Sequence, residues 1–486
     1  MALEDIRTVK AHDPMSSMPD AEADAPDPAE HELDGEAGQK KLGQLWTWYE
    51  QEREKQSANR LEMAIDEDFY DNLQWTEEDA QTLNDRGQAA LVYNFAAQKI
   101  DWLLGTERRT RVDYKVMPRK GGPEAINDAD NKTKLMKYIN DVNNAGYSRS
   151  WGFGDAIKVG IGWLEEGSRA DFSDEPLYSQ HESWRNMLWD SVNFSIDGSS
   201  WRYVIRMKSL DLDVAEEMFP DRKEKLKAAS IGYDAMIGGD DDDLYYLGQR
   251  IGTAETTLRT AGNRVISPDS FSAFNRRERV RLVEMWYRVP AKRQVMRGAR
   301  FNGKVFREDD ASHVSAVAEQ AVSLYDAVVM EVRCAIMVKG ALIEDSPSPY
   351  RHNRFPFVPI WCYRRGRDGM PYGVMRRMRD AQEDFNKRMS KAQHLLSTRR
   401  VEMEEGAVED LDELREEVAR PDGIMVRRKG RELTIIDSPQ LAEEQVKIAE
   451  LDVRFMESGS GVTDENTGKS TNATSGVAIE RRQNQG

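Results

Sequence analysis

The sequence contains little cysteine and little histidine, with two cysteines and six histidines among its 486 residues. Cys334 and Cys362 are too few for a disulfide framework, and together with the scattered histidines they lack the ligand spacing of a zinc site. The composition therefore indicates a reduced, cytosolic environment, and we expect neither a metal centre nor a cofactor.

Long apolar segments are also missing. The longest apolar runs are a few residues, whereas crossing a bilayer takes about 20. The first residues, Met1–Asp5, lack the basic region followed by an apolar stretch that begins a secretion signal. We therefore expect a soluble protein with no membrane partner.

Positive charge is in deficit, with 69 Lys and Arg against 86 Asp and Glu and a net charge of −17. This balance argues against a protein that coats nucleic acid by bulk charge. The deficit is uneven, because residues 1–40 hold 11 acidic and 3 basic residues together with four prolines and few large apolar residues. We predict a disordered acidic tail over residues 1–42. An acidic arm that binds a partner is the functional alternative.

Hydrophobic periodicity predicts several helices and strands along the remaining chain. The predicted helices span residues 43–70, 94–106, 124–163, 376–400 and 439–456, and the third of these is interrupted at Gly146 and by Gly152, Gly154, Gly160 and Gly162. The predicted strands are Val112–Val116, Trp201–Met207 and a hairpin that pairs residues 424–426 with 433–436. Residues 279–362 combine β-type runs with an alanine-rich helix over 311–324, so we expect them to form a separate small α+β unit.

The helix predicted over residues 376–400 is strongly basic. It carries eight Lys and Arg residues against three acids, a local charge of +5 in an acidic protein. A solvated helix face explains this pattern. A basic surface that faces phosphates or an acidic neighbouring subunit explains it as well, and both interpretations stay open.

Four glycines, Gly152, Gly154, Gly160 and Gly162, lie within or just after a helical pattern. Their spacing differs from the glycine fingerprint of dinucleotide-binding proteins. We therefore interpret them as positions of close packing and turns.

The sequence contains no recognisable catalytic motif, although one segment resembles part of a phosphate-binding motif. Thr467–Ser470 resembles the end of a phosphate-binding loop, but that motif needs a glycine at position 463, where this sequence has Thr. A phosphate-binding loop also follows a strand, whereas this segment follows a predicted helix. No pair of carboxylates has the context of a general acid and base. The sequence therefore predicts that the protein is not an enzyme.

Short motifs that occur in a fixed order over roughly residues 43–486 resemble the portal, or head-to-tail connector, proteins of short-tailed bacteriophages. The motifs of the first half are Asp68-Phe69-Tyr70, Gln74-Trp75, Arg86-Gly87-Gln88, Asn94, Gly105 and Met117-Pro118-Arg119. Those of the second half are Phe355–Pro359, Gly369–Gly373, Asp380-Ala381-Gln382, Asn386-Lys387-Arg388, Leu395-Leu396, Glu405-Gly406-Ala407, Arg420–Gly423 and Ser475–Ile479. Their common order makes the resemblance specific, although no single motif is diagnostic.

The resemblance implies an α+β, multi-domain subunit with a wing, long stem helices, a small α+β clip and a channel loop. After the acidic tail of 1–42, it assigns these segments: wing 43–230 and 401–457, connection and first stem element 231–278, clip 279–362, stem helix 363–400, channel loop 458–475 and the start of the following helix 476–486. Such subunits usually continue into a crown, and this sequence leaves open whether a crown is present.

The resemblance also implies a function. Portal subunits form a ring, usually of twelve copies, at one capsid vertex of the virion, after assembly in the host cytoplasm. The ring is the conduit for packaging and ejection of double-stranded DNA without sequence specificity, and it binds terminase, tail adaptor or head-completion proteins, capsid and scaffold proteins. The alternatives are a packaging-associated NTPase or nuclease, and a virion adaptor or scaffold without a channel.

Two groups of residues are candidates for the site. In the channel loop, we expect Asn466, Lys469, Ser470, Thr471 and Asn472 to approach DNA, with an ordinary surface loop as the alternative. In the basic stem helix, the candidates for a subunit interface or for the channel are Arg376, Arg377, Arg379, Lys387, Arg388 and Lys391. We favour contact with a neighbouring subunit for the helix.

Overall fold

The computed structural model describes residues 33–110, 114–118, 122–169, 175–231, 278–298, 301–420, 423–436 and 439–462. Its helices are α1 (Glu36–Tyr70), α2 (Glu77–Asp85), α3 (Phe95–Arg109), α4 (Pro123–Val142), α5 (Ala145–Val159), α6 (Leu212–Met218), α7 (Lys223–Ala228), α8 (Ala311–Ala318), α9 (Val374–Ser397), α10 (Leu411–Ala419) and α11 (Pro439–Ser460). Helices and sheets are both abundant, which confirms the predicted α+β fold class.

Most strands belong to two antiparallel sheets. The strands are β1 (Ile161–Ser168), β2 (Leu177–Glu182), β3 (Met187–Trp189), β4 (Tyr203–Asp211), β5 (Ser230–Ile231), β6 (Arg279–Arg297), β7 (Ser323–Val338), β8 (Ala341–Pro347), β9 (Phe357–Trp361), β10 (Tyr363–Arg364), β11 (Pro371–Tyr372), β12 (Arg400–Met403) and β13 (Leu433–Ile436). The large sheet has the order β3-β4-β6-β7-β8, with β5 also paired to β6, and the small one has the order β2-β1-β9.

Both faces of the large sheet are buried. Successive side chains of a strand point to opposite faces, so each strand contributes to two cores. On β4, Val204 packs in the core that includes the small sheet, whereas Ile205 packs in the core beneath α1. Leu45 and Tyr49 supply the helical side of that second core. The sheet therefore lies between α1 on one side and the small sheet on the other.

Helix α1 begins at Glu36 rather than at residue 43, so the predicted acidic tail is too long by the helical residues 36–42. Leu42 is buried against the large sheet, and Lys41 forms a 2.5 Å ion pair with Asp345 on β8. These contacts fix the first helical turns, and composition alone could not show them. The rest of the predicted tail, residues 1–32, lies outside the described residues.

Residues 279–362 do not form a sheet of their own. The inner half of β6 pairs with β4 over nine residues, from Tyr203 opposite Tyr287 to Asp211 opposite Arg279. The outer half of the β6–β7 hairpin, from Pro290 onward, pairs only within the hairpin and has a small core built from Met296, Phe301, Ala316 and Val322. Pairing between distant strands was invisible to local patterns, and the assignment of this segment to a clip stays a prediction.

A layer of helices completes the described chain. Helices α1, α3, α5, α9 and α11 share a core that includes Phe69, Ile100, Met375, Met378 and Met456. Helix α9 confirms the prediction for residues 376–400 within three residues at either end, and α11 extends the prediction for 439–456 by one turn. Their apolar residues recur at helical spacing, which is why the sequence predicted both helices.

Three local predictions were wrong. The helical segment predicted over 124–163, with an interruption at Gly146, is divided at residues 143–144 into α4 and α5, but it ends at Val159, and the residues that follow form β1 instead of helix. Strand β13 pairs with β12, from Arg400 opposite Ile436, and does not pair with residues 424–426. Residues 114–116, the described part of the first predicted strand, adopt no regular structure.

Candidate functional site

The basic residues of α9 are largely neutralised by acids of the same chain. Arg376 and Arg379 both contact the buried carboxylate of Asp66 on α1, at 2.7 and 3.1 Å, and Arg379 also contacts Glu62 at 2.6 Å. Asp66 is fully buried. These two arginines therefore anchor α9 to α1, a contact that the sequence pattern did not reveal.

The other candidate residues of α9 lie nearer to solvent. Lys387 and Arg388 pair with acids one turn earlier, both at 2.7 Å, and Arg377 stacks over the ring of Tyr363. Lys391 is exposed and forms no ion pair within the described chain. Of the six candidates, Arg377, Lys387 and Lys391 are the most exposed, and their role at a subunit interface or in a channel stays a prediction.

A buried polar seam joins α9 to the segment that precedes α3. Gln382, Asn386 and Ser390 are four residues apart, so they lie on one face of the helix. Their side-chain oxygens accept hydrogen bonds from the backbone N–H groups of residues 96, 93 and 91, at 3.0, 3.0 and 3.1 Å. None of these N–H groups has a partner within a helix or sheet. The buried N–H of Ala96 relies on Gln382, whereas the N–H of Leu91 also donates to the carbonyl of Ala89 at 3.1 Å.

Residues of five separate sequence motifs meet at this seam. Asn386 donates to the Gln74 side chain at 2.5 Å, and Gln382 donates to the carbonyl of Tyr93 at 2.8 Å. Asn94 caps α3 by accepting from the Ala97 N–H at 2.9 Å, and its amide donates to the carbonyl of Phe69. Motifs about 300 residues apart in the sequence thus form one hydrogen-bonded unit in the fold.

The motif Gly369–Gly373 positions the beginning of α9. Asn59 on α1 donates to the carbonyl of Pro371 at 3.1 Å. A Cβ at Gly373 would lie 2.0 Å from the carbonyl oxygen of Lys158, so only glycine allows this approach to the end of α5. The motif therefore determines where α9 starts relative to α1 and α5.

The channel-loop candidates Asn466, Lys469, Ser470, Thr471 and Asn472 all lie outside the described residues. Helix α11 ends at Ser460, two residues after the predicted start of the loop. The described chain ends at Val462, which is buried beside Lys99 on α3. The loop assignment stays a prediction.

Residues 46–486 match the family of phage P22-like portal proteins. The chain belongs to this family. The match includes the motifs of both halves and confirms the resemblance to portal proteins of the short-tailed phage type, which are head-to-tail connectors of the virion. The search of curated proteins found no match.

The portal-family match covers the residues that make the polar seam and the α1–α9 ion pairs. Within the ranges described, no three His, Cys, Asp or Glu residues are grouped so as to hold a metal ion. Among the same residues, no helix has both the length and the apolar character that crossing a bilayer requires.

One buried ion-pair network of the portal chain was missed by sequence reasoning. Arg206 on β4 contacts Glu165 at 2.7 Å, Glu182 at 3.3 Å and Glu284 at 2.5 Å. Arg206 is 1% exposed, and burial lowers its pKa, but the three carboxylates outweigh burial and raise it. A signal was present, because Arg206 and Glu284 each interrupt an apolar strand pattern.

Asp66 makes the stability of this helix layer depend on pH. Burial raises the pKa of Asp66 from 3.8 to about 6, against the opposing effect of Arg376 and Arg379. Because the folded pKa is raised, the folded chain binds this proton more tightly than the unfolded chain. The stability that the carboxyl contributes is therefore complete below about pH 4 and is lost as the pH rises through about 6.

We predict that Asp66→Asn removes this pH dependence. In the unaltered chain the carboxyl should lower the free energy of unfolding by about 1 kcal/mol between pH 5 and pH 7, and in Asp66→Asn this contribution should vanish. Urea unfolding of both proteins at pH 5, 6 and 7 measures the difference. Equal pH slopes in the two proteins would contradict a raised pKa at Asp66.

Proposed function

We propose that this chain assembles into a closed ring at one capsid vertex and that duplex DNA passes through the ring during packaging and ejection. The family match over residues 46–486 is the observation that carries this proposal. A family of connectors implies association with the capsid and the terminase in general. Twelve copies, assembly in the host cytoplasm, and contacts with scaffold, tail adaptor and head-completion proteins belong to the same proposal.

The proposed role is structural. Portal proteins are generally not enzymes, and we expect no ATP turnover from Thr467–Ser470. DNA that must slide through a ring is served by scattered positive charge rather than by base-specific contacts. The channel-loop residues are therefore the first candidates for weak phosphate contacts. For exposed Arg377, Lys387 and Lys391 we favour contact with a neighbouring subunit, with the channel as the alternative.

Ring closure requires two different surfaces on each subunit, because a head-to-tail interface joins unlike patches. The described chain has two exposed apolar stripes on separate helices. The α4 stripe comprises Leu135, Tyr138 and Val142, which are 56%, 52% and 40% exposed. The α11 stripe comprises Leu441, Ile448, Leu451 and Phe455, at spacings that place them on one helix face.

Charged residues of both signs lie beside the two stripes. Exposed Lys132, Lys134 and Asp141 lie beside the α4 stripe, and exposed Glu444, Lys447, Glu450 and Arg454 lie beside the α11 stripe, so opposite charges can be paired between them. Complementary charges favour association in one register and orientation. We therefore propose that the α4 stripe of one subunit contacts the α11 stripe of the next.

We predict that Phe455→Glu prevents ring formation. The substitution places a charge in the centre of an apolar contact, and its burial there without a partner should weaken the contact by about 3 kcal/mol, at every interface of the ring. Mass photometry at micromolar concentration should show rings for the unaltered protein and monomers for the variant.

Ile424→Glu is the matched control, because Ile424 is 80% exposed but lies outside both stripes. It should leave the rings intact. Rings formed equally by Phe455→Glu would refute the contact between stripes while leaving the portal function standing. The portal function itself is tested by negative-stain microscopy of the purified protein. If only monomers or dimers are seen, even with scaffold protein present, the portal function is contradicted. A ring without a lumen wide enough for duplex DNA would favour an adaptor.

A further inference from the structure

A cavity of about 540 Å³ opens where the turn before β4, strands β6 and β7, and the loop before β9 meet. Its lining includes Arg202, Arg288, Arg354 and His352, together with the two serines Ser199 and Ser200. No carboxylate is among the described residues that line it. Three guanidinium groups around one cavity without an acid are unexpected in a chain of net charge −17.

Arg288 is the buried member of this group. Its side chain is held over the ring of Phe355, 4.6 Å from the ring centroid, and it donates to the backbone carbonyl of Ser199. Only 8% of the residue is exposed, and it forms no ion pair with a carboxylate within the described chain. Burial lowers the pKa of Arg288. The charge of Asp197 raises this pKa, and the charge of Arg354 lowers it.

Arg202 and Arg354 add charge at the mouth of the cavity. Arg202 is held against the Trp48 ring, with 5.7 Å to the ring centroid, and Arg354 is exposed. Neither forms an ion pair among the described residues. His352 stacks on Tyr350, and burial followed by the charge of Arg354 lowers the pKa of His352. The cavity thus has three guanidinium groups in its lining, and Asp197 is a single acid that acts on one of them.

This arrangement differs from the arginine clusters at Arg206 and at the start of α9. Arg206 is surrounded by three carboxylates, and Arg376 and Arg379 share Asp66. A buried or half-buried arginine is normally retained with a partner, because an uncompensated charge is costly. Around this cavity no carboxylate of the described residues forms an ion pair with the three arginines, and Asp197 acts on Arg288 only from outside the lining, so a ligand is the natural source of the remaining negative charge.

We propose that this cavity binds a phosphate group. Guanidinium N–H pairs suit the oxygens of a tetrahedral oxyanion, and three positive charges match a multiply charged phosphate better than a single carboxylate. The volume exceeds that of one phosphate ion and accommodates a phosphate with a further group attached. The phosphate comes either from a small phosphate compound or from a DNA backbone, and both sources share this chemistry.

The test is calorimetric titration of the assembled full chain with sodium pyrophosphate and, separately, with a 20-base-pair duplex, at constant ionic strength. We expect pyrophosphate to bind, and Arg354→Gln and Arg202→Gln each to weaken it about tenfold, as expected for losing one charge-assisted hydrogen bond. Arg351→Gln is the matched control, because Arg351 is exposed, neighbours the cavity in sequence and contacts only Asp309 at 3.8 Å. It should bind as the unaltered protein does.

The duplex titration distinguishes the two sources. If the phosphate belongs to DNA, Arg354→Gln weakens the duplex as well and pyrophosphate competes with it; if not, duplex affinity is unchanged by the substitution. No pyrophosphate binding at 10 mM, or an equal loss in Arg351→Gln, would overturn the proposal. It would also be overturned if Arg354→Gln dissociates the ring and pyrophosphate does not bind, because the cavity would then receive an acid of a neighbouring subunit.

Discussion

Replacing Arg206 by methionine should lower the free energy of unfolding of the sheet region by about 3–5 kcal/mol, as expected when one partner of a buried ion pair is removed. Arg206 lies between the two sheets, with Glu165 and Glu182 on the small sheet and Glu284 on the large one. Methionine fills much of the same volume but strands carboxylates in the interior. The cost therefore comes from the charges left behind rather than from lost packing.

The local hydrogen bonds of these carboxylates do not replace Arg206. Glu165 accepts from Tyr178 and Gln180, and Glu284 accepts from the indole N–H of Trp286. These neutral donors satisfy oxygens but leave two negative charges close together in a region without solvent. Adding Glu284→Gln to the Arg206→Met variant should consequently recover part of the lost stability, because it removes one stranded charge.

Arg293→Met is the control for this prediction. Arg293 is also an arginine on a strand that pairs with a glutamate, Glu331 at 2.6 Å, but its side chain is 53% exposed. An exposed pair contributes about 0–1 kcal/mol, so this variant should be nearly unchanged. Urea unfolding followed by tryptophan fluorescence reports on this region, since Trp163 and Trp201 pack nearby in the same core. Similar losses in both variants would contradict the argument.

Hydrophobic periodicity predicted the long helices because the apolar residues of one helix face recur within a few turns of the chain. Helices α3, α9 and α11 were expected close to their observed positions, and Asn94 was expected at the start of α3. The same local signal placed an interruption at Gly146, close to the break between α4 and α5, but it did not recognise β1, because the apolar residues continue across Gly160 into the strand. A hairpin was predicted between residues 424–426 and 433–436 because the two segments are close together in sequence.

The candidate site was predictable only in part. Gln382 and Asn386 were recognised as motif residues, but the partner of Asn386, Gln74, is 312 residues away in sequence, and no spacing rule connects them. The basic character of α9 was evident, whereas its neutralisation by Asp66 depends on how α1 crosses α9. Likewise, the cavity arginines come from three separate segments, and each one is an ordinary arginine in its own local pattern.

Gly160→Ala should be the most damaging of the small substitutions, with an expected loss of about 4 kcal/mol from backbone strain and steric conflict together. Gly160 ends α5 with φ of +109°, a conformation that residues with a Cβ rarely adopt. A Cβ at this position would also lie 2.3 Å from the backbone nitrogen of Tyr372. Backbone cannot move aside as the end of a flexible side chain can, so β11 and the start of α9 must shift.

Gly87→Ala separates the two contributions. Gly87 has a comparable φ of +69°, but an added Cβ would have no atom within 4 Å. It should therefore show only the conformational cost of about 1 kcal/mol. The two variants are compared by urea unfolding and by hydrogen exchange at the Cys362 N–H, which donates to the Gly160 carbonyl at 2.9 Å. If Gly160→Ala costs no more than Gly87→Ala, the close approach of α5 to the Gly369–Gly373 motif does not hold α9 in place; a larger loss with faster exchange at Cys362 would locate the strain at that crossing.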